Sequence, residues 1–273
     1  MSLKDEFKTM VTRLTARYRI PPISNIFLPP FSKGGQPQEA EFMALSLAGG
    51  AAGISYVLLP DEKEIEYKAL RPADFVGQNP REYALEFGND DPLKEMISLA
   101  AINAICQHVM RETNFPLDSA TDSLGLLSVS AGDKLGMVGL FFPLLKSIKQ
   151  AGADLIVIEK NAQLIQQYPE LPISLEATKL KNCNKVLCTS TTILNNSLDE
   201  ILSHCAPQAM VSIIGPTAGY FPDPLFNRGV DVVGGRVVKD GDLFIQLLRE
   251  QKRWGAATRK ICFQKRTYAG LGN

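Results

Sequence analysis

The segment TSTTILNN, residues 189–196, places four hydroxyl side chains and two amides directly after the apolar run at 185–188. Such groups donate and accept hydrogen bonds, so the pattern is typical of a helix N-terminus or of a polar ligand site. A capping side chain accounts for one residue of the cluster. We therefore predict that Thr191, Thr192 and Asn195 contact a polar ligand, aided by free backbone N–H groups.

Glu159 is a second chemical candidate because it follows the apolar run 154–158. It stands about 20 residues after Gly139, where dinucleotide-binding folds place the acid that binds ribose. A strand that simply reaches solvent produces the same pattern, and the complete glycine fingerprint is missing because Gly136 and Gly139 are three residues apart. Glu159 is the best candidate acid or base, although the sequence assigns it no reaction.

Glycines close to the predicted strand ends form a third group of candidates. Gly139, Gly215 and Gly234 each follow an aliphatic run, and Pro216 and Thr217 come directly after Gly215. Glycine lets the backbone approach a ligand closely, and proline stiffens a turn. Turns use these residues for structural reasons as well, so it is the alignment of five strand ends along one edge that favours a site.

The elements that must position these residues are clearest in the C-terminal half. The predicted strands cover residues 135–138, 154–158, 185–188, 209–214 and 230–233. Short, almost fully apolar strands that alternate with helices are typical of a parallel sheet covered on both faces. We predict a doubly wound α/β domain in which the ligand lies at the carboxyl ends of the strands.

The N-terminal half has a different pattern. A helix over 4–19 precedes three extended segments, which predict a small antiparallel sheet with a turn at 32–37. A long helix is predicted from Asp91-Pro92 to about residue 112, and the Ser-, Asp- and Gly-rich residues 115–132 form the predicted connection. We predict an α+β domain over 1–114 and a Rossmann-like domain over 115–273.

Composition limits the partners. The 29 Lys and Arg balance the 29 Asp and Glu, so neither nucleic acid nor an anionic membrane is an expected partner. Five scattered cysteines in apolar surroundings indicate free thiols in a reducing compartment. We expect a cytoplasmic protein whose partner is a small molecule or a metal ion, with a homo-oligomer left open.

Metal and nucleophile signatures are weak. The chain has two histidines, of which His108 is expected in a core-facing position and His204 at a helix end. Cys183 and Cys188 lack the spacing of a zinc knuckle. The Ser nucleophile elbow and the H-E-x-x-H helix are absent from the sequence.

Several of these motifs resemble a known family. The segments GLFFPLL, VIEK, TSTTILNNSLDEIL, IIGPTAGYFPDPLF and GVDVVGG are similar to the heavy-metal chelation domain family, DUF364. The resemblance covers about residues 125–265, and the N-terminal part resembles the companion domain DUF4213, which is similar to the N-terminal domain of enolase. It implies a Rossmann-like C-terminal domain and a ligand site in the cleft between the two domains.

The resemblance also implies site residues. The family patterns fall on the positions Asn103, Gly139, Phe141, Glu159, Thr191, Thr192, Asn195, Gly215, Pro216, Thr217 and Gly234. Ser190 stands where the family commonly has glycine, so close backbone approach is not implied there. The family name points to a heavy-metal ion as the cofactor, and the residues themselves identify none.

Three functions follow from these observations. The leading hypothesis is a protein that binds a small polar, metal-chelating molecule in the interdomain cleft, with a role in heavy-metal chelation or in metal or cofactor metabolism. The second is a nucleotide-binding enzyme in which Glu159 contacts a ribose and residues 189–196 contact phosphate. The third is a non-catalytic small-molecule binding protein, and the sequence leaves open whether any reaction is catalysed.

Overall fold

The structure is a computed structural model, and it describes residues 1–31, 42–118 and 126–271. They form a small three-stranded sheet followed by a seven-stranded sheet, with helices packed on both. The predicted turn at 32–37 and part of the predicted connection at 115–132 lie outside the described residues. In the described part of the chain, no helix combines the length and hydropathy that a bilayer span requires.

The N-terminal part begins with helix α1 (Leu3–Arg17), whose first turn is capped because the Ser2 hydroxyl accepts a hydrogen bond from the Asp5 N–H. The sheet that follows is antiparallel in the order β1-β2-β3. Its strands are β1 (Ile23–Phe27), β2 (Phe42–Leu47) and β3 (Ala52–Tyr56). The prediction of a small antiparallel sheet is confirmed.

Three helices follow this sheet: α2 (Glu64–Ala69), α3 (Pro80–Leu85) and α4 (Pro92–Glu112). The α4 helix begins as predicted, since the Asp91 carboxylate caps it and Pro92 occupies its first position. It lies directly on β3, where a Cβ atom added to Gly53 would stand 2.0 Å from the Ala100 carbonyl oxygen. Such close packing explains why α4 is apolar around most of its circumference.

The seven-stranded sheet has the order β10-β9-β8-β7-β4-β5-β6. Its strands are β4 (Lys134–Val138), β5 (Asp154–Ile158), β6 (Ile173–Ser174), β7 (Lys185–Thr189), β8 (Met210–Ile214), β9 (Val232–Val238) and β10 (Thr258–Gln264). Its helices are α5 (Phe142–Ala151), α6 (Gln163–Gln167), α7 (Thr191–Leu194), α8 (Leu198–His204), α9 (Asp223–Phe226) and α10 (Gly241–Arg249).

This strand order is that of a Rossmann fold. The first strand of the large sheet, β4, is central; β5 and β6 are added on one side of it, and β7, β8 and β9 are then added on the other side. The predicted α/β fold class is confirmed. The edge strand β10 was not predicted, and it runs antiparallel to β9.

The predicted end of the fifth strand is wrong. We expected Gly234 and Gly235 to follow the strand, but β9 continues through them to Val238 because β10 pairs along its whole length. Gly235 is required where the loop after β8 crosses β9, since an added Cβ would stand 1.8 Å from the Ala218 carbonyl oxygen.

The two sheets share one hydrophobic core. A single cluster of buried side chains contains residues of α1, of α4 and of the face of the large sheet that α4 covers. Phe7 of α1 packs edge-on against Tyr220 with 4.8 Å between the ring centroids. The Arg228 guanidinium ties the same helix to the C-terminal part through Glu6, and it also pairs with Asp199 at 2.9 Å.

Candidate functional site

A cavity of about 280 Å³ lies on the face of the large sheet that also carries α5. We call it the sheet-face cavity. Its floor is formed by β8, β9 and β10, and one wall is formed by the start of α5. The residues that line it are Leu126, Phe141, Pro143, Leu144, Ser212, Ile214, Gly215, Pro216, Val232, Gly234, Gly235, Arg236, Lys260, Ile261 and Cys262.

The cavity brings together four of the predicted site residues, which are Phe141, Gly215, Pro216 and Gly234. They come from three different loops and strands, so only the fold places them side by side. Gly215 has φ 151° and its N–H donates to the Gly234 carbonyl at 3.0 Å, which holds the loop after β8 against β9.

Gly139, Glu159 and Thr191 lie instead near the point where the strand order reverses between β4 and β7. Gly139 has φ 84°, and Thr189 fills the space beside it, since an added Cβ would stand 3.0 Å from the Thr189 methyl carbon. The Glu159 carboxylate accepts hydrogen bonds from the Leu140 N–H at 3.2 Å and the Lys160 N–H at 2.7 Å. Glu159 therefore joins the loops that follow β4 and β5.

Local hydrogen bonds use much of the hydroxyl cluster at 189–196. The Thr189 hydroxyl donates to Thr191 Oγ1 at 3.0 Å, and the buried Thr192 hydroxyl donates to the Thr189 carbonyl at 2.7 Å. Exposed Asn195 accepts from the Ser197 N–H at 3.2 Å and from its hydroxyl at 2.6 Å. They are local turn hydrogen bonds and not helix caps, since within the described residues no side chain caps α7 or α8. A ligand role for Thr191, Thr192 and Asn195 stays a prediction.

Asn103 and Thr217 are buried at the contact between α4 and the large sheet. The Asn103 side-chain amide donates to the Ile54 carbonyl at 2.8 Å and to the Thr217 carbonyl at 2.7 Å. Gln107, one turn further along α4, accepts from the Val238 N–H at 2.8 Å and donates to the Arg236 carbonyl at 3.1 Å. Two amides of α4 thus join the two halves of the chain.

Two cations at the cavity were not singled out from the sequence. Arg236 and Lys260 are directly opposite each other on β9 and β10, and both line the cavity. Arg236 is held in place because its Nη1 donates to Thr258 Oγ1 at 2.7 Å and its guanidinium carbon lies 4.9 Å from the Trp254 ring centroid. Burial lowers the pKa of Arg236 below its ordinary value.

Ser212 is the third missed residue. Its side chain is fully buried at the cavity floor, and its hydroxyl has no hydrogen-bond partner within residues 1–31, 42–118 and 126–271. A polar atom in the otherwise apolar strand Met210–Ile214 was the available signal. Because an unpaired buried hydroxyl is costly, Ser212 is a natural partner for a polar atom that enters the cavity.

A second cavity, of about 440 Å³, lies between the end of α4 and strands β9 and β10. We call it the boundary cavity because Asn114 and Phe115, the residues on either side of the predicted domain boundary, line it. Arg111, Lys239 and Arg259 line it, and all three are exposed. None of the predicted site residues lines this cavity.

The side chains of the chain itself fit a metal ion poorly. Within the residues that the structure describes, no group of three or more His, Cys, Asp or Glu side chains could hold one. Burial raises the pKa of Cys106, Cys188 and Cys262 to about 12, which disfavours the thiolate form that binds metals. The His108 ring nitrogen already lies 3.1 Å from the Arg19 carbonyl oxygen.

Comparison with known proteins gives similar proteins over nearly the whole chain. An uncharacterized protein of Methanocaldococcus jannaschii is 23% identical over 193 residues, which are 69% of this chain and 73% of that protein. A crystal structure from Desulfitobacterium hafniense superposes with a TM-score of 0.71 at 19% identity, covering 96% of this chain and 98% of the other. One from Pyrococcus horikoshii gives 0.68 at 16% identity, covering 96% and 100%.

Both crystal structures are described as DUF364 proteins with unknown function, and at these identities they establish the fold. The model of the DUF364 family, described as "Putative heavy-metal chelation", matches residues 122–266, just over half of the chain. That segment contains all seven strands of the large sheet and every described residue that lines the sheet-face cavity. The chain belongs to the DUF364 family.

Proposed function

We propose that the protein binds a small polar molecule able to chelate a heavy-metal ion, and that this molecule lies in the sheet-face cavity. This location differs from the expected interdomain cleft, because all the described residues that line the cavity belong to the C-terminal part. The observation that carries the proposal is the cavity itself, in which Phe141, Gly215, Pro216 and Gly234 meet at the C-terminal ends of β4 and β8 and on β9. Rossmann-like sheets bind ligands beyond the carboxyl ends of their strands, and Phe141, Gly215 and Pro216 lie beyond the ends of β4 and β8.

The size and lining of the cavity favour a compact ligand. Its volume of about 280 Å³ is close to the lower end of the roughly 300–1,000 Å³ of small-molecule sites. Phe141, Pro143 and Ile214 supply apolar surface, and Ser212 and Arg236 supply polar groups. Such a combination suits a small molecule that presents both apolar surface and polar substituents.

Metal enters this proposal as part of the ligand. The described side chains offer no cluster of three donors, so a heavy-metal ion would take most of its ligands from the bound molecule. The family description supports a role in chelation, and the cavity supports small-molecule binding.

The test is a thermal-shift series on the full-length protein with dipicolinate, a flat chelating dicarboxylate, as the probe. A ligand that binds the folded state raises the melting temperature by mass action. We expect a rise with dipicolinate alone and with its zinc complex. Zinc alone should give no rise.

The control pair is Phe141→Ala and Phe142→Ala. Phe141 lines the cavity, whereas neighbouring Phe142 is 46% exposed and is not among the residues that line it. Phe141→Ala should reduce the dipicolinate response, and Phe142→Ala should preserve it. A rise with zinc alone, or with ATP in place of the chelator, would overturn the proposal, and the ATP result would favour the nucleotide-binding alternative.

A further inference from the structure

The positive charge of this protein is concentrated at one end of the large sheet. Residues 236–266 contain nine Lys and Arg against three Asp and Glu, a formal net charge of +6 in a chain that is neutral as a whole. This segment includes part of β9 and all of β10, which contribute to the floor of the sheet-face cavity.

Within that segment, the pairing of Arg236 with Lys260 is electrostatically unfavourable. Residues directly opposite on antiparallel strands have Cβ atoms about 4.5–5.5 Å apart, and like charges at such positions destabilise the pair. Neither cation forms an ion pair with an acidic side chain in the part of the chain that the structure describes. An anion between them would remove the repulsion.

The opposite wall of the cavity is also electropositive. Helix α5 begins there, and no side chain from the described part of the chain caps its N-terminus. The partial positive charge of a helix N-terminus favours an anionic group. In the first turn of α5, Pro143 has no N–H and the Leu144 N–H donates to the Phe141 carbonyl at 3.0 Å, so the favourable contribution comes mainly from the helix dipole. The fully buried Ser212 hydroxyl, which has no hydrogen-bond partner among the described residues, lies on the floor between this wall and β9.

We infer that the ligand of the sheet-face cavity is a small organic dianion. One anionic group lies between Arg236 and Lys260, and the second lies at the N-terminus of α5. The body of the ligand covers the Ser212 hydroxyl and offers it a hydrogen-bond partner. This inference rests on the proposed function for the location of the site, and it adds the charge and chemical class of the ligand.

The test compares two double variants that remove the same charge from neighbouring positions. Arg236 and Lys260 lie on β9 and β10, and Lys239 and Arg259 lie directly after β9 and on β10. Arg236→Gln/Lys260→Gln changes the face that lines the sheet-face cavity, and Lys239→Gln/Arg259→Gln changes residues that line the boundary cavity. Dipicolinate affinity is measured for both by isothermal titration calorimetry. Circular dichroism melting checks that each variant is folded, and Arg236→Lys, which keeps the charge, serves as a milder variant.

We expect Arg236→Gln/Lys260→Gln to weaken dipicolinate binding about 100-fold, as the loss of charge-assisted hydrogen bonds implies. Lys239→Gln/Arg259→Gln should change the affinity less than about 3-fold, which is the scale of screened surface charge. Binding should also weaken with added salt in the wild type, and less so in the first double variant. Equal losses in both double variants, or none in either, would overturn the inference.

Two further probes separate this inference from the proposed function. Isophthalate has the charge and shape of dipicolinate without the ring nitrogen that completes the chelate. If it binds equally well and zinc has no influence, the dianion inference stands and the chelator proposal fails. If the neutral chelator 1,10-phenanthroline binds in a Phe141-dependent way and both dicarboxylates do not, the proposed function stands and the dianion inference fails.

Discussion

Asn103 is the residue whose loss should damage the fold most directly at the contact between the two sheets. Its amide satisfies the Ile54 and Thr217 carbonyls in a fully buried position. Asn103→Ala leaves two buried carbonyl groups without that donor, so we expect a loss of about 2–4 kcal/mol in the free energy of unfolding, measured with urea.

Asn182→Ala is the matched control for this change. Asn182 is exposed, and we expect its replacement to alter the free energy of unfolding by less than about 0.5 kcal/mol. A loss for Asn103→Ala no larger than that of the control would mean that water replaces the amide at this contact.

Glu159 allows a separate test of the loops after β4 and β5. Its carboxylate accepts from the Leu140, Lys160 and Asn161 N–H groups. Glu159→Gln weakens these bonds because it removes the charge and one acceptor, so we expect a loss of about 1 kcal/mol in the free energy of unfolding. Urea denaturation measures this loss, and an unchanged free energy of unfolding in Glu159→Gln would contradict the role of these hydrogen bonds.

At the scale of elements, alanine substitutions at the glycine pair in β9 allow effects on stability to be distinguished from effects on ligand binding. A Cβ at Gly235 would overlap the Ala218 carbonyl oxygen, whereas a Cβ at Gly234 would lie 3.3 Å from a methyl group of Ile214. Gly235→Ala should therefore cost more than about 2 kcal/mol of stability, and Gly234→Ala less than about 1 kcal/mol. Urea denaturation measures both.

Gly234→Ala should nevertheless weaken dipicolinate binding, because the new methyl group takes space beside Ile214 in the sheet-face cavity. Isothermal titration calorimetry of Gly234→Ala with dipicolinate measures this loss of affinity. Undiminished affinity would indicate that the ligand does not reach β9.

The starts of β4 and β7 are joined by a cluster around Asp133 that should make stability depend on pH. Lys185 Nζ lies 2.8 Å from the Asp133 carboxylate, and Asn184 and Ser130 also donate to it. The Lys185 ammonium and these hydrogen bonds hold the pKa of Asp133 well below its ordinary value. The stabilisation is therefore complete above the unfolded pKa of about 3.9, and it is lost as pH falls towards the folded pKa.

We expect Asp133→Asn to lose about 2 kcal/mol at pH 7 and to show a smaller further loss between pH 5 and pH 3 than the wild type. Urea denaturation at these three pH values measures the difference. Asp74→Asn is the control, because Asp74 pairs with Arg71 on the surface and should behave like the wild type. Parallel pH profiles for the wild type and Asp133→Asn would contradict this account.

The elements that the sequence predicts well are those with a strong local pattern. The β5 strand agrees with the prediction residue for residue, and the cap of α4 is visible in Asp91-Pro92. Strand β10 was missed because Thr258–Lys260 is polar and its pairing with β9 is a tertiary contact. Without that register, Arg236 and Lys260 could not be recognised as opposite residues.

For the whole molecule, the shared core predicts that the two sheets unfold together. One cluster joins Phe7 of α1 to Tyr220 of the C-terminal part. We expect a single calorimetric transition for the full chain. A fragment of residues 119–273 should bind a hydrophobic dye and lack a cooperative transition, because its surface against α1 and α4 is then exposed. A fragment that melts cooperatively would support independent domains with a boundary near residue 115.

The candidate site was only partly predictable from the sequence, because some of its features depend on tertiary packing or on local charge. Strand ends and glycines marked Gly215 and Pro216, and the family resemblance added Phe141. All three line the sheet-face cavity. Overall neutrality concealed the local charge of +6 over residues 236–266, which a charge profile along the chain would have found. The role of Ser212 depends on the absence of a partner, and only the packed structure provides that information.

The loop at residues 215–219 both lines the sheet-face cavity, through Gly215 and Pro216, and bonds Asn103 of α4, through Thr217. This double use limits how the protein can evolve. A mutation that reshapes this wall for a new ligand also displaces the segment that joins the two halves of the chain. Changes of specificity should therefore accumulate on β10 and at the start of α5, which line the cavity without bonding α4, while residues 215–219 stay nearly invariant among relatives that bind different molecules.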